Sequence, residues 1–270
     1  MMDTIKSVLV DETVSLFTSA GDVARSGAYI YPLKGIFHLS NTKPLWRPPL
    51  SKAYPTATLG LGVTSAMFFF TYIPQVAIMS ITSGPLLAPI TTAFLVLTES
   101  STITNYLARA FILKDALMDT FDGTLVSEGY EKIVANGRHL HATGDAVSRL
   151  GDVIDPEHVE KKEREKITMA SLIKACAYLP LNFIPVVGTV LYVFVHGKKM
   201  GPELHERYFR LKGWDARKVR EWVDRHRGAY TGLGMAAFVL EMIPFASIAC
   251  SFTNTVGAAL WAADIEKAIR

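Results

Sequence analysis

The longest apolar run of the chain lies between Lys52 and Glu99, where 46 consecutive residues carry no charged side chain. A helix needs roughly 20 apolar residues to cross a membrane, so this run is long enough for two crossings. The stretch SITSGP at residues 80–85 interrupts the run with a glycine and a proline, which favour a turn. The pattern therefore predicts a hairpin of two transmembrane helices, at about 54–79 and 85–108.

Two further apolar blocks, at about 170–196 and 229–262, are long for one crossing and short for two. Each has a proline near its centre, Pro185 in NFIPVVG and Pro244 in EMIPFAS. Proline removes a helix N–H and strains the preceding turn, while Gly188 accepts the backbone angles that a reversal needs. A bend at each proline gives two arms that reach only partly into the hydrocarbon core. The alternative is a single kinked span.

The positions of lysine and arginine favour hairpins over single spans. Every apolar block has Lys or Arg on both flanks, and positively charged flanks prefer the cytosolic side. Single spans would place some of these clusters across the membrane, whereas hairpins that enter and leave on one side keep all of them cytosolic. We therefore predict an all-α integral membrane protein with two transmembrane helices, two half-penetrating proline-bent hairpins, and cytosolic termini.

The blocks divide a single membrane domain into six segments. In order, these are an interfacial N-terminal region, the transmembrane hairpin, a polar cytosolic helical insert, a half-penetrating hairpin, a basic amphipathic region and a second half-penetrating hairpin. Their boundaries are 1–53, 54–108, 109–169, 170–196, 197–228 and 229–262.

The stretch GWDARKVREWVDRHRG predicts a basic amphipathic helix that begins after an N-cap at Asp215. Its apolar side chains recur at helical spacing opposite its basic ones. Such a helix lies in a membrane interface with its tryptophans at headgroup depth, or it packs its apolar face on the protein itself. The predicted interfacial residues are Trp46, Arg47, Trp214, Arg217, Lys218, Arg220, Trp222 and Arg225.

Composition agrees with a membrane location, because half of the residues are hydrophobic, which is high for a soluble domain of 270 residues. The net charge is only +3, but residues 197–228 hold 10 Lys/Arg against 5 Asp/Glu. This basic segment suits anionic lipid headgroups, and neither zinc-finger spacing nor an RNA-binding strand accompanies it. We expect lipid partners and no nucleic acid, and leave a small anion, a lipid ligand and oligomerisation open.

Polar side chains inside the apolar blocks are the candidate functional residues, because ionisable groups in membrane segments usually serve a function. In the second helix they follow one stripe, and the alternative is that its threonines bond back to their own helix while Glu99 pairs with Arg109 or Lys174. Glu241 falls at the predicted tip of the third block and must be protonated or paired there. The candidates are Thr98, Glu99, Thr102, Asn105, Arg109, Lys174, Asn182, Glu241 and Asn254.

Signatures of enzymes are weak in this chain. His139 and His141 form an HxH pair without further ligands at useful spacing, so a solvated helix face is the favoured interpretation. Asp119 and Asp122 in DTFDG form an acidic pair of the kind found at metal–diphosphate sites, in a region where acidic residues are common. We predict no catalytic residue, no metal ion and no cofactor.

Three passages carry a family resemblance: YIYPLKGIFHLSNTKPLWRPPL at 29–50, NFIPVVGT, and EMIPFASIACSFTNTVGAALWAADIE. They resemble the fungal lipid-droplet and outer spore wall proteins, which are distantly similar to the CysZ sulfate permeases and the etoposide-induced membrane proteins of animals. The resemblance implies two transmembrane helices followed by two pairs of half-penetrating helices. The polar segment 110–166 departs from that pattern, and no sulfate-binding motif is recognised.

Three functions follow as expectations. The first is a non-catalytic membrane protein of the endoplasmic reticulum and lipid droplets, with a role in lipid storage or spore-wall assembly. The second is a permease for a small anion, lined by the threonine stripe and the bent half-helices. The third is a membrane-embedded enzyme acting on a lipid or terpenoid, with Glu99, Glu241 or Asn182 as its polar anchor.

Overall fold

The computed structural model describes residues 20–154, 187–243 and 246–269. Residues 20–26 are helical and are followed by a short 3-10 turn. The N-terminal half then contains α1 (Tyr31–Asn41) and the long helical segment Arg47–Ala108, which Gly84 divides into α2 (47–83) and α3 (85–108). A π-helical turn (Arg109–Leu113) joins α3 to α4 (Lys114–Ser127), α5 (Glu131–Val134), and the strands β1 (Arg138–Leu140) and β2 (Leu150–Val153).

The C-terminal half consists of five helices within the described residues. They are α6 (Val187–Leu204), α7 (Glu206–Leu211), α8 (Ala216–Arg225), α9 (Arg227–Glu241) and α10 (Ser247–Ile269). We call α2 and α3 together the apolar hairpin, and the remaining helices with the two strands the body.

The apolar hairpin turns at Gly84, whose φ of 76° lies in the left-handed region that favours glycine. This is the position at which the SITSGP stretch predicts a turn. The two arms then run side by side, since the Tyr72 hydroxyl donates to the Pro89 carbonyl at 3.2 Å. The face of α3 that is turned toward α2 carries small or β-branched side chains at four-residue spacing, which lets the two helices approach closely. The buried side chains of this face are Ala88, Thr92, Val96 and Ser100.

The outer surface of the apolar hairpin is covered by large apolar side chains. Phe69 is 78% exposed, and Ile81 and Leu86, on either side of the turn, are each 86% exposed. The helices Lys43–Ile81 and Ser83–Ser127 are long and apolar enough to cross a membrane. Apolar surface of this extent is unfavourable in water, so a lipid environment explains it.

The core of the body forms where α10 packs along α4, which continues the direction of α3. Phe252 packs with Leu113 and Ala116, and farther along both helices Ala258 and Ala259 join Phe121 and Leu125 in one buried cluster. Later residues of α10 contact later residues of α4, so the two helices run parallel, and both lead away from the hairpin turn. On another side of α10, Gly35 of α1 meets Gly257 so closely that a side chain on either would clash.

Helices α6 and α9 pack through glycines. Gly197 and Gly201 form a GxxxG pair on α6, and Gly234 of α9 lies against both of them. A methyl group on Gly201 would overlap the Tyr230 carbonyl, and one on Gly234 would overlap the Gly197 carbonyl. The two backbones are therefore in direct contact.

Helices α9 and α10 lie side by side and run in opposite directions. The ring centres of Tyr230 and Trp261 are 4.8 Å apart near one end, and the Asn254 amide donates to the Ala237 carbonyl at 3.0 Å near the other. The predicted bend at Pro244 lies outside the described residues. The depth to which this pair enters a membrane stays a prediction.

The polar segment 109–169 differs from the helical insert expected of it. Residues 138–153 form an antiparallel strand pair, so the helical expectation is wrong there. The connection contains Gly144 at φ 123°, and the Asp145 carboxylate accepts the Ser148 backbone N–H at 2.9 Å, which favours a turn over a helix. Helix α4 contributes Phe121 to the core of the body, so this segment is an integral part of the fold.

Candidate functional site

Glu99 finds its partner inside the apolar hairpin. Its carboxylate accepts a hydrogen bond from the Gln75 side-chain amide of the facing arm at 2.9 Å. The partners proposed from the sequence were Arg109 and Lys174; Arg109 binds elsewhere, and Lys174 lies outside the described residues. The Gln75 amide oxygen is buried and has no hydrogen-bond partner among the described residues.

The threonine stripe of α3 bonds back to its own helix. Thr98 donates to the Phe94 carbonyl at 2.9 Å, and Thr102 donates to the Thr98 carbonyl at 3.0 Å. Both threonines are exposed on the outer side of the hairpin, so they do not line an internal path. Asn105 is half-buried, and its side-chain oxygen has no hydrogen-bond partner in the described chain.

Arg109 is the centre of a polar cluster at the foot of the apolar hairpin. Its guanidinium forms an ion pair with Glu241 at the end of α9. It also donates to the Ser251 hydroxyl of α10, with the Arg109 Nη2 to Ser251 Oγ distance at 2.6 Å. The Glu241 side chain is only 8% exposed and the Arg109 side chain 34%, so the charges neutralise each other at the edge of the interior.

Asn254 completes this cluster from the next turn of α10. Its amide donates to Glu241 Oε1 at 3.0 Å and to the backbone of α9, while its own oxygen is buried without a partner among the described residues. The sequence identified Arg109, Glu241 and Asn254 separately, and the structure brings them together. It missed Ser251, whose position three residues before Asn254 on the same helix face was the available signal.

Four of the predicted residues lie outside the described chain: Lys174, Asn182, Pro185 and Pro244. Gly188 is the second residue of α6 and lies within a regular helix as far as the structure describes it.

The acidic pair Asp119 and Asp122 takes part in ion pairs within the body. Asp122 is fully buried, and both its oxygens accept hydrogen bonds from Arg207 of α7, at 2.9 and 2.6 Å. Arg138 of β1 bridges Asp119 at 2.7 Å and Asp122 at 3.3 Å. Two guanidinium groups therefore occupy the place that a metal ion would take. The described residues contain no group of three or more side chains suited to hold a metal.

His205 lies at the centre of a buried aromatic cluster that no pattern in the sequence predicts. Its Nε2 lies 2.8 Å from the Ala258 carbonyl, and its Nδ1 lies 3.1 Å from the Tyr230 hydroxyl. A carbonyl only accepts, so Nε2 carries the proton and Nδ1 accepts from Tyr230. The Tyr230 oxygen in turn accepts the Trp222 indole N–H at 3.1 Å. Burial lowers the pKa of His205 from 6.5 to about 4, which keeps the ring neutral.

The predicted basic helix is α8, and Asp215 caps it by accepting the Lys218 N–H at 2.9 Å. Its apolar face packs on the body through Val219, Trp222 and Val223, and Trp214, just before the helix, stacks on Phe209. Its basic side chains point outward. This is the second of the two arrangements considered from the sequence.

The other two predicted interfacial residues lie at the start of the apolar hairpin. The Trp46 indole donates to the Leu39 carbonyl at 2.6 Å, and Arg47 pairs with Asp145 at 3.0 Å. The HxH pair occupies β1 and the residue after it, where His139 and His141 are both exposed.

Clefts among the described residues include one on the apolar hairpin and one at the end of the body. One, of about 300 Å³, lies on the apolar hairpin beside Tyr72 and Phe94. The other, of about 760 Å³, lies between the ends of α8 and α10 and is lined by Trp222, Arg225 and Ile269, among others. Neither is lined by Glu99 or Glu241.

Comparison with known proteins gives a family match and two curated relatives. A family model described as sulfate transporter CysZ/etoposide-induced protein 2.4 matches residues 31–250. The outer spore wall protein RRT8 of Saccharomyces cerevisiae is 25% identical over 259 residues, covering 92% of this chain and 75% of the relative. The outer spore wall protein LDS1 of the same yeast is 23% identical over 257 residues, covering 90% and 72%. These matches confirm the resemblance found in the sequence.

Proposed function

Because the chain belongs to the sulfate transporter CysZ/etoposide-induced protein 2.4 family, we propose that it is a non-catalytic protein of endoplasmic reticulum and lipid-droplet membranes. It serves outer spore wall assembly or lipid storage there. The relatives RRT8 and LDS1 are both named outer spore wall proteins, and this chain aligns with 75% and 72% of their length, which supports the spore-wall role.

One observation carries the membrane part of this proposal: the tip of the apolar hairpin is uncharged. The nearest charged residues to Gly84 are Lys52 and Glu99, and Ile81 and Leu86 expose their side chains beside the turn. A hairpin tip without charged side chains can remain in hydrocarbon and does not have to reach water on the far side of the membrane. It fits a bilayer, and it equally fits the monolayer of a lipid droplet, which has water on one side only.

The body supports a non-catalytic role because its buried charges are paired with one another. Asp122 is held by two arginines, and Glu241 is held by Arg109 and Asn254. These carboxylates have partners within the fold, and removal of one partner of a buried pair is strongly destabilising.

The proposal is tested in sporulating Saccharomyces cerevisiae that lacks RRT8 and LDS1. A fluorescent fusion of this chain should colocalise with an endoplasmic reticulum marker and with a neutral-lipid dye, and it should restore the outer spore wall. A variant with Ile81→Asp and Leu86→Asp should stay off lipid droplets, because charges at the tip oppose insertion. Localisation to another organelle, or droplet targeting that is unaffected by the charged tip, would contradict the proposal.

A second candidate function is a permease for a small anion. The observation that favours it is Arg109, a cation at the foot of a membrane hairpin that remains 34% exposed. Its pairing with Glu241 opposes this function, because an arriving anion must displace the carboxylate. In proteoliposomes, a permease would take up labelled sulfate, and Arg109→Gln would abolish the uptake; no uptake above empty vesicles would remove this candidate.

A further inference from the structure

The basic face of α8 lies at the end of the molecule opposite the hairpin tip. Ser83–Ser127 forms one helical path of 45 residues, and at 1.5 Å per residue it is about 67 Å long. Helix α10 runs parallel to the part of this path that lies in the body. Trp222 of α8 donates to the Tyr230 hydroxyl, and the Tyr230 ring lies 4.8 Å from the ring of Trp261 in α10, so α8 lies beside this end of α10. Measured along the helices, α8 therefore lies more than about 50 Å from the tip, well beyond a hydrocarbon core of about 30 Å.

Three cations on this face form no ion pair with a described residue, and one of them, Lys218, lies over the Trp214 ring instead. Within α8, Arg217 pairs with Glu221 at 2.9 Å. Arg227, just beyond it, pairs with Asp224 at 3.1 Å. Arg220 and Arg225 are exposed and form no ion pair with any residue that the structure describes.

We propose that this distal face docks on the anionic surface of a second membrane, while the apolar hairpin is anchored in the first. The apolar side of α8 is already used by the body, so the helix cannot insert and the contact is electrostatic and reversible. The inference rests on the proposed membrane role of the hairpin.

The chemistry of the face favours lipid over other polyanions. Glu221 and Asp224 lie among the basic residues and would repel a nucleic-acid backbone, whereas mobile headgroups can gather around separated cations. Beside Arg225 opens the cleft of about 760 Å³, whose walls include Trp261, Ile265 and Ile269. The polar rim of this cleft carries both signs of charge, with Asp22 and Asp224 beside Arg225 and Arg227, so the preference for anionic lipid rests on the exposed cations of α8.

The test uses the full-length protein in donor vesicles of phosphatidylcholine, which is neutral and leaves the basic face free. Flotation of the protein with these vesicles at high salt measures anchoring. Fluorescent acceptor vesicles, with or without phosphatidylserine, are then added, and their co-flotation with the donors measures docking. We expect capture of acceptors that contain phosphatidylserine and its loss at high salt, because salt screens exposed charges.

Charge reversal locates the effect. Arg220→Glu with Arg225→Glu should lower capture about ten-fold or more, since each basic residue contributes to attraction by an anionic surface. The matched control, Lys43→Glu with Lys132→Glu, changes the net charge equally at exposed positions outside α8 and should keep most of the capture.

Each outcome decides between the two proposals. Protein that fails to float with the donors would overturn the membrane role and this inference with it. Protein that floats but captures no acceptors, captures neutral ones equally well, or is affected equally by both variants would overturn the inference alone. Binding of RNA in place of anionic vesicles would overturn it as well.

Discussion

At the scale of single residues, ionisable side chains at the edges of the apolar blocks are held by partners that lie far away in the sequence. Glu99, Arg109 and Glu241 all stand out because they interrupt or border apolar blocks. Glu99 pairs with Gln75, 24 positions away, and Arg109 pairs with Glu241, 132 positions away; no local spacing rule predicts either contact. The same reason explains why Arg207 was not foreseen as the partner of Asp122.

Asp122 is the residue whose substitution should be most costly. Asp122→Asn would leave Arg207, with its side chain only 12% exposed, without the carboxylate that it binds, and would leave Arg138 with Asp119 alone. Breaking a buried pair in this way costs about 3–5 kcal/mol of the free energy of unfolding. Denaturant unfolding in detergent, followed by tryptophan fluorescence, measures the loss. The control Glu221→Gln removes an exposed pair, and an equal effect from both variants would contradict this account.

His205 should make stability depend on pH. Its pKa is about 4 in the folded protein and 6.5 when unfolded, so the unfolded chain binds the extra proton first. The free energy of unfolding should fall as pH drops from 6.5 to 4, by roughly 3 kcal/mol in total. His205→Gln, which can keep both hydrogen bonds, should flatten this dependence. Equal slopes for the two proteins over this range would refute the buried neutral histidine.

At the scale of elements, local signals located helices and turns where they were strong. SITSGP marked the hairpin turn, and Asp215 with the spacing of its apolar neighbours marked α8. The strands at 138–153 were missed because three or four residues are too few for their alternation to stand out against helical patterns. The contact between α6 and α9 was also missed, because a GxxxG spacing indicates which face of a helix is packed but does not identify the helix that packs against it.

The glycine contact between α6 and α9 should tolerate no side chain. Gly201→Ala places a methyl group into the Tyr230 carbonyl, and such overpacking costs about 1–3 kcal/mol of unfolding free energy. Gly62→Ala is the control, because nothing lies within 4 Å of the added methyl group and helices favour alanine. Thermal unfolding of both variants should separate them, with Gly201→Ala alone losing stability. A stable Gly201→Ala protein would show that the two backbones are not in contact.

At the scale of the whole molecule, one long helix links the membrane part to the body. It runs from Ser83 to Ser127, and the cluster around Arg109 fastens α9 and α10 to it part of the way along. The hairpin tip is uncharged, and the flanking basic residues lie toward the body. This arrangement underlies our proposal that the molecule enters a membrane from one side and keeps its body on that side.

Labelling of introduced cysteines in microsomes tests this one-sided insertion most directly. Single cysteines replace Lys132, Lys199 or Lys267 in a chain lacking Cys176 and Cys250, and a membrane-impermeant thiol reagent is added to vesicles whose cytosolic face points outward. We predict that all three positions react in intact vesicles, while a cysteine at Ser83 beside the tip does not. Any of the three that reacts only after the membrane is opened would contradict insertion from one side.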